Sequence, residues 1–147
     1  MWMFLFACNE NFLFTKHPVA AEESSSTDND AIPLTVEPVY LSSASRLFSW
    51  QLESSVRFVA AYSHAGVLPS ITDIAASPDG RLFALSAHHL YLVNPATAEL
   101  NRVGSTEESY EGLCFNDGGA LLATNRREMC ALEYEVSSEQ ELECSRV

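Results

Sequence analysis

Two stretches of this chain, 39 residues apart, carry the same pattern of apolar residues and turn residues. One runs from Ile71 to Leu85 and contains the turn Ser77-Pro78-Asp79-Gly80; the other runs from Tyr110 to Thr124 and contains Asn116-Asp117-Gly118-Gly119. Aligned without a gap they share Gly80/Gly119, Leu82/Leu121 and Ala84/Ala123. They match more widely in polarity, at Ile74/Leu113, Ala75/Cys114, Ala76/Phe115 and Phe83/Leu122. Each is a short apolar run, a turn that tolerates positive φ at its glycine, and a second apolar run. A repeat near 40 residues made of such runs predicts stacked four-stranded antiparallel sheets and an all-β chain. Helical periodicity nowhere exceeds a turn or two.

Around these units the strand pattern extends from Leu34 to the end. Runs at Leu34–Leu41, Arg46–Leu52 and Val56–Tyr62 predict three strands of a partial unit over 34–62. A full unit follows over 71–104, with strands Ile71–Ala76, Arg81–Ser86, His89–Asn94 and an outer polar strand Glu99–Gly104. A second covers 110–147, with strands Tyr110–Phe115, Ala120–Thr124, Met129–Tyr134 and Glu141–Val147.

The segment Ser77-Pro-Asp-Gly-Arg-Leu-Phe-Ala-Leu85, with Leu90-Tyr-Leu-Val-Asn-Pro-Ala-Thr97 after it, resembles the repeats of NHL-type β-propellers. It is also similar to YVTN and gluconolactonase-like repeats. Those carry an SPDG-x-LYV turn-strand and a strand-turn that ends Asp-Pro-x-Thr-Gly; Asn94 and Ala98 stand here where Asp and Gly are usual. The resemblance covers about residues 71–134 and implies an incomplete propeller of two and three-quarter blades. A closed propeller takes at least four blades. The expectations are a piece of a larger propeller, closure by self-association through exposed blade edges, or an irregular β-sandwich.

The first 14 residues, MWMFLFACNENFLF, form an apolar N-terminal segment too short to span a bilayer. Leu5-Phe-Ala-Cys8 resembles a bacterial lipobox, which makes Cys8 a lipidation candidate and a lipid there the one expected membrane attachment. Residues 15–33 include Ala20-Ala-Glu-Glu-Ser-Ser-Ser-Thr-Asp-Asn-Asp30, an acidic, Ser-rich linker composition. Export to the envelope or beyond is therefore expected, with the cytoplasm as the alternative.

Charge narrows the partners. Twenty acidic residues face one Lys and seven Arg, for a net charge of −12. Such a surface repels phosphate backbones, so no nucleic-acid partner is expected. No D-x-D-x-D-G run, P-loop, G-x-S-x-G elbow or zinc spacing occurs, and no metal or cofactor is expected. His88 and His89 are adjacent and point to opposite faces of an extended chain, while His17 and His64 sit in loops. Asp79 and Asp117 occupy turn positions that favour local hydrogen bonds, and Asp28 and Ser24–Ser26 belong to the linker. Arg126-Arg127, the basic pair, can reach Glu128 or Glu111.

The function expected is a non-catalytic interaction or scaffold module. One alternative is a gluconolactonase-like metal hydrolase, for which the resemblance would recruit residues such as Glu111, Asn116 or Asn125. The other is a lectin-like propeller stacking sugars on Trp50, Tyr91 or Tyr110, although aromatic residues on such sheets more often fill the core between them. Finally, an antiparallel hairpin with Tyr134 facing Gln140 sets Cys130 opposite Cys144, within bridging distance, so a Cys130–Cys144 disulfide is expected with Cys114 a buried free thiol.

Overall fold

The computed structural model describes residues 38–51, 54–136 and 139–147, and among them the chain is all-β. Twelve strands form three sheets, none closed into a barrel. The first sheet is the meander β1 (Val39–Ser43), β2 (Arg46–Trp50) and β3 (Arg57–Ala61). The second is β4 (Asp73–Ala76), β5 (Leu82–Leu85), β6 (His89–Val93) and β7 (Leu100–Ser105), with β11 (Gln140–Glu141) added in parallel on β7. The third is β8 (Gly112–Phe115), β9 (Leu121–Thr124), β10 (Met129–Leu132) and β12 (Cys144–Arg146).

The repeat read from sequence survives in three dimensions. Ser77 and Asn116 each receive the N–H four residues on, from Arg81 at 3.0 Å and Ala120 at 2.8 Å, on a side-chain oxygen. Gly80 and Gly119 take φ of 83° and 79°, the left-handed conformation both turns need. Thr72 N–H donates to Leu85 O at 2.7 Å, and Glu111 N–H, 39 positions later, to Thr124 O at 2.8 Å. The first sheet repeats the last three strands of the same unit. Tyr62 N–H donates to Ser45 O as Thr106 N–H does to His88 O, and the β2–β3 and β6–β7 pairings shift register at corresponding sites, Leu47/Phe48 and Leu90/Tyr91. Ala98, with φ 56°, holds a left-handed site that glycine would fill without strain.

The sheets pack in chain order, so each has a leading face toward the sheet before it and a trailing face toward the one after. Leu82, Ala84, Tyr91, Val93 and Leu100 on the second sheet's leading face pack against Leu47 and Tyr62, with Tyr40, Val59 and Ala60 around them. One repeat on, Leu113, Leu121, Ala123, Cys130 and Leu132 of the third sheet meet Phe83, Leu85, Leu90 and Val103 of the second. The innermost strands β4 and β8 lie side by side. Asp73 on β4 bridges them: its Oδ1 accepts from its neighbour Ile74 N–H at 2.9 Å and its Oδ2 from Leu113 N–H of β8 at 2.8 Å.

The expected single last strand is instead two. Gln140–Glu141 leaves the hairpin and pairs with Gly104–Ser105 of the second sheet. The cause is Leu142, an isolated apolar residue between two glutamates, which is buried in the second core and whose N–H donates to Ser105 O at 2.7 Å. A Cβ on Gly104 would lie 2.5 Å from Gln140 O and 2.7 Å from the Leu142 side chain, so only glycine admits this approach. The remaining strand pairs Cys130 with Arg146 and Leu132 with Cys144, two residues out of the expected register. The Cys130–Cys144 disulfide forms nonetheless, across a diagonal with Cα atoms 5.4 Å apart. Two further expectations are corrected. Cys114 is disulfide-bonded and half-buried, not a buried free thiol. The strand expected to be an outer polar one, β7, has Leu100 and Val103 fully buried, Leu100 against the first sheet and Val103 against the third, and β11 pairs along its far edge.

Candidate interaction face

The first sheet has one face that no described sheet covers. Its trailing residues Tyr40, Leu47 and Ala60 enter the first core; alternation then turns Val39, Leu41, Phe48, Trp50 and Phe58 to the leading side. Phe58 is 57% exposed and Val39 50% exposed. Phe48 and Phe58 meet edge-on, ring centroids 5.8 Å apart, and the Arg46 guanidinium lies 6.0 Å from the Phe58 ring. Phe48 and Trp50 correspond through the repeat to Tyr91 and Val93, which the first sheet covers, and Phe58 to Arg102, which pairs with Glu139.

Charge varies along the stack in step. Residues 38–72 hold Arg46 and Arg57 against one carboxylate, Glu53. Residues 106–147 hold ten carboxylates against three arginines. Glu107, Glu108, Glu128, Glu141 and Glu143 rim a groove of about 490 Å³ with Arg146, whose Nε lies 2.9 Å from Glu128. Among the described residues no three His, Cys, Asp or Glu side chains converge as a metal site would require.

The residues singled out from sequence fall as follows. Tyr91 and Tyr110 are 3% and 1% exposed, so neither ring offers a stacking platform; each is part of a core between sheets. The Tyr110 hydroxyl lies 3.2 Å from Cys130 Sγ, where it donates to the bridged sulfur, and burial, with Glu128 and Glu108 nearby, raises its pKa. Trp50 stays half-exposed on the leading face, its Nε1 donating to Ser54 O at 3.0 Å. Glu111 is exposed and lies 3.7 Å from Arg126 Nε; Asn116 and Asn125 spend their carbonyls on Ala120 N–H and on the N–H groups of Arg127 and Glu128. Asp79 is held at a pKa of about 2 by hydrogen bonds from Arg81 and Ser77. Cys8, His17, Ser24–Ser26 and Asp28 lie outside the described residues.

His88 and His89 face opposite ways, as adjacent residues of an extended chain do. His88 is exposed; His89 is turned inward with a ring nitrogen buried and no hydrogen-bond partner, and its pKa is lowered by burial and by the Arg102 charge. His64, in its loop, donates through Nδ1 to Leu100 O at 2.9 Å and lies edge-on to Tyr91. Sequence reasoning passed over Asp73, whose pKa burial raises although two backbone N–H groups pull it down. The available signal was a lone acid in an apolar strand, Ile71-Thr-Asp-Ile-Ala-Ala76.

No protein-family model matches this chain, and no curated protein shows significant similarity to it.

Proposed function

We propose that this chain is an exported, non-catalytic interaction module, an incomplete stack of propeller-type repeats that binds a protein through the leading face of its first sheet. The observation that carries the reading is the aromatic face of the first sheet, on which Phe58 and Val39 are exposed and Phe48 and Trp50 half-buried, while the counterparts of Phe48 and Trp50, Tyr91 and Val93, are packed in the second sheet. Exposed contiguous apolar surface on a folded domain marks an interaction site. Export is supported by the Cys130–Cys144 bridge and by Cys114 also being disulfide-bonded, since such bonds persist in oxidising compartments.

Footprinting tests the reading. Hydroxyl-radical labelling of Phe58 and Trp50 should be at least about threefold weaker in the producing cell than in dilute purified protein. Equal labelling overturns the binding face. Alkylation without reduction should leave Cys130 and Cys144 unmodified in the cell, and ready alkylation of both overturns export.

A further inference from the structure

The trailing face of the third sheet has no described sheet behind it, yet its centre is buried. Leu113, Leu121, Ala123, Cys130 and Leu132 point toward the second sheet, so alternation turns Cys114, Leu122 and Ala131 to the trailing side. Register sets these three in one row across β8, β9 and β10. Leu122, in the middle of the row, is 7% exposed although it lies outside both cores, and Cys114 and Ala131 are half-buried. On the first sheet's leading face, which likewise has no described sheet against it, the central-strand residues Phe48 and Trp50 are only half-buried.

Cysteine arithmetic points to the cover. The protein has four cysteines, Cys8, Cys114, Cys130 and Cys144. Cys130 is bonded to Cys144 and Cys114 is also disulfide-bonded, so elimination leaves Cys8 as its partner within the chain. Cys8 belongs to MWMFLFACNENFLF, which carries Trp2, Phe4, Phe6, Phe12 and Phe14. In an extended run Trp2, Phe4 and Phe6 fall on the same side as Cys8. Reach is ample: the roughly 30 residues between Cys8 and Pro38 can span about 100 Å, against about 20 Å for two sheet-to-sheet spacings.

We propose that Cys8 and Cys114 form a disulfide, and that the apolar segment around Cys8 covers the trailing face of the third sheet over Leu122. The bond forms by exchange with a disulfide oxidant of an oxidising compartment, which takes up two electrons and two protons from the thiols and leaves as a dithiol. It joins the start of the chain to the last sheet and encloses the first two sheets in one covalent loop. A sulfur held in this bond carries no lipid, so the bond and lipidation of Cys8 exclude each other. The proposal concerns the end of the stack opposite the interaction face and shares with that reading only the oxidising compartment.

The test uses the full chain, alkylated in the producing cell before any reduction and then digested with trypsin. Cleavage after Lys16, Arg102 and Arg126 releases residues 1–16 and 103–126, while Cys130 and Cys144 stay together in 128–146. A species joining 1–16 to 103–126 that separates on reduction supports the bond. Alkylated Cys8 and Cys114 beside an intact Cys130–Cys144 bridge overturn it and leave export standing; four alkylated cysteines overturn both. Cys114 joined to Cys130, to Cys144 or to Cys114 of a second copy overturns it, as does a lipid on Cys8. Hydroxyl-radical labelling reads the cover. In Cys8→Ser with Cys114→Ser, labelling of Leu122 should rise at least about threefold while that of Phe58 stays the same, with circular dichroism checking the fold. Phe4→Ser with Phe6→Ser keeps both cysteines and should expose Leu122 in the same way. Unchanged labelling of Leu122 in a folded variant overturns the cover.

Discussion

The second and third sheets are two copies of one unit that end differently. Both begin with an apolar strand, a turn closed on a side-chain oxygen and a glycine at positive φ. The second then finishes with β7, six residues long, sealed by β11 at its far edge. The third finishes with β12, three exposed residues held to β10 by a disulfide. On the inner strands, Asp73 reaches forward from the second sheet to Leu113 N–H, while Gly112 in the third has no side chain to do so. The difference teaches where a repeat array is secured: the middle sheet is pinned on both sides by the chain itself, and the last depends on its tail.

The largest test of that difference is Leu142→Ala. Removing a buried leucine from the core should cost about 2–5 kcal/mol. Chemical denaturation should show this loss, and hydrogen exchange at Ser105 and Leu142 should rise as β11 detaches. Little change would mean that β11 does not secure the far edge of the second sheet. Gly104→Ala should release β11 as well, since its Cβ would collide with Gln140 O.

Next comes the disulfide. Cutting a 14-residue separation should cost about 3 kcal/mol on the loop-entropy account. In Cys144→Ser, exchange should rise at β12 while β5 and β6 keep their protection; a uniform rise would show that the two sheets are one cooperative unit.

Asp73→Ala leaves Leu113 N–H without its acceptor and should cost about 1–3 kcal/mol. The carboxyl's pKa in the fold lies above its usual value, burial being the larger cause. Its contribution to stability is therefore fully present below the unfolded pKa and is lost as pH rises through the folded one. Difference denaturation between wild type and Asp73→Ala from pH 3 to 7 should show that slope, and a slope of opposite sign would mean that the backbone hydrogen bonds outweigh burial.

The smallest expected effect is a swap of turn residues. Ser77→Asn and Asn116→Ser each keep a side-chain oxygen for the N–H four residues on, so each should change stability by less than about 1 kcal/mol. A larger loss in Ser77→Asn alone would show that its contact with Asp79 matters more than the turn they share.

Much of this was legible from residues close in sequence. Gly80 and Gly119 marked turns because only a residue tolerant of positive φ suits them, and alternating apolar residues marked strands. The bridge between Cys130 and Cys144 was legible although the register was not. A hairpin with a long loop has no tight turn to set its register, so a shift of two residues keeps every side chain on its own face and leaves the cysteines diagonal instead of opposed.

The chain's local pattern determined that it is all-β, that it repeats near every 40 residues, and which faces of its strands are apolar, because strand period and turn chemistry act over a few residues. Only tertiary structure decided that Leu142 carries β11 onto the second sheet, that Tyr91 and Tyr110 are core, and that Phe58 is exposed on the first sheet. Those outcomes depend on which sheet lies against which, and on whether a backbone as bare as Gly104 stands where a distant leucine must land.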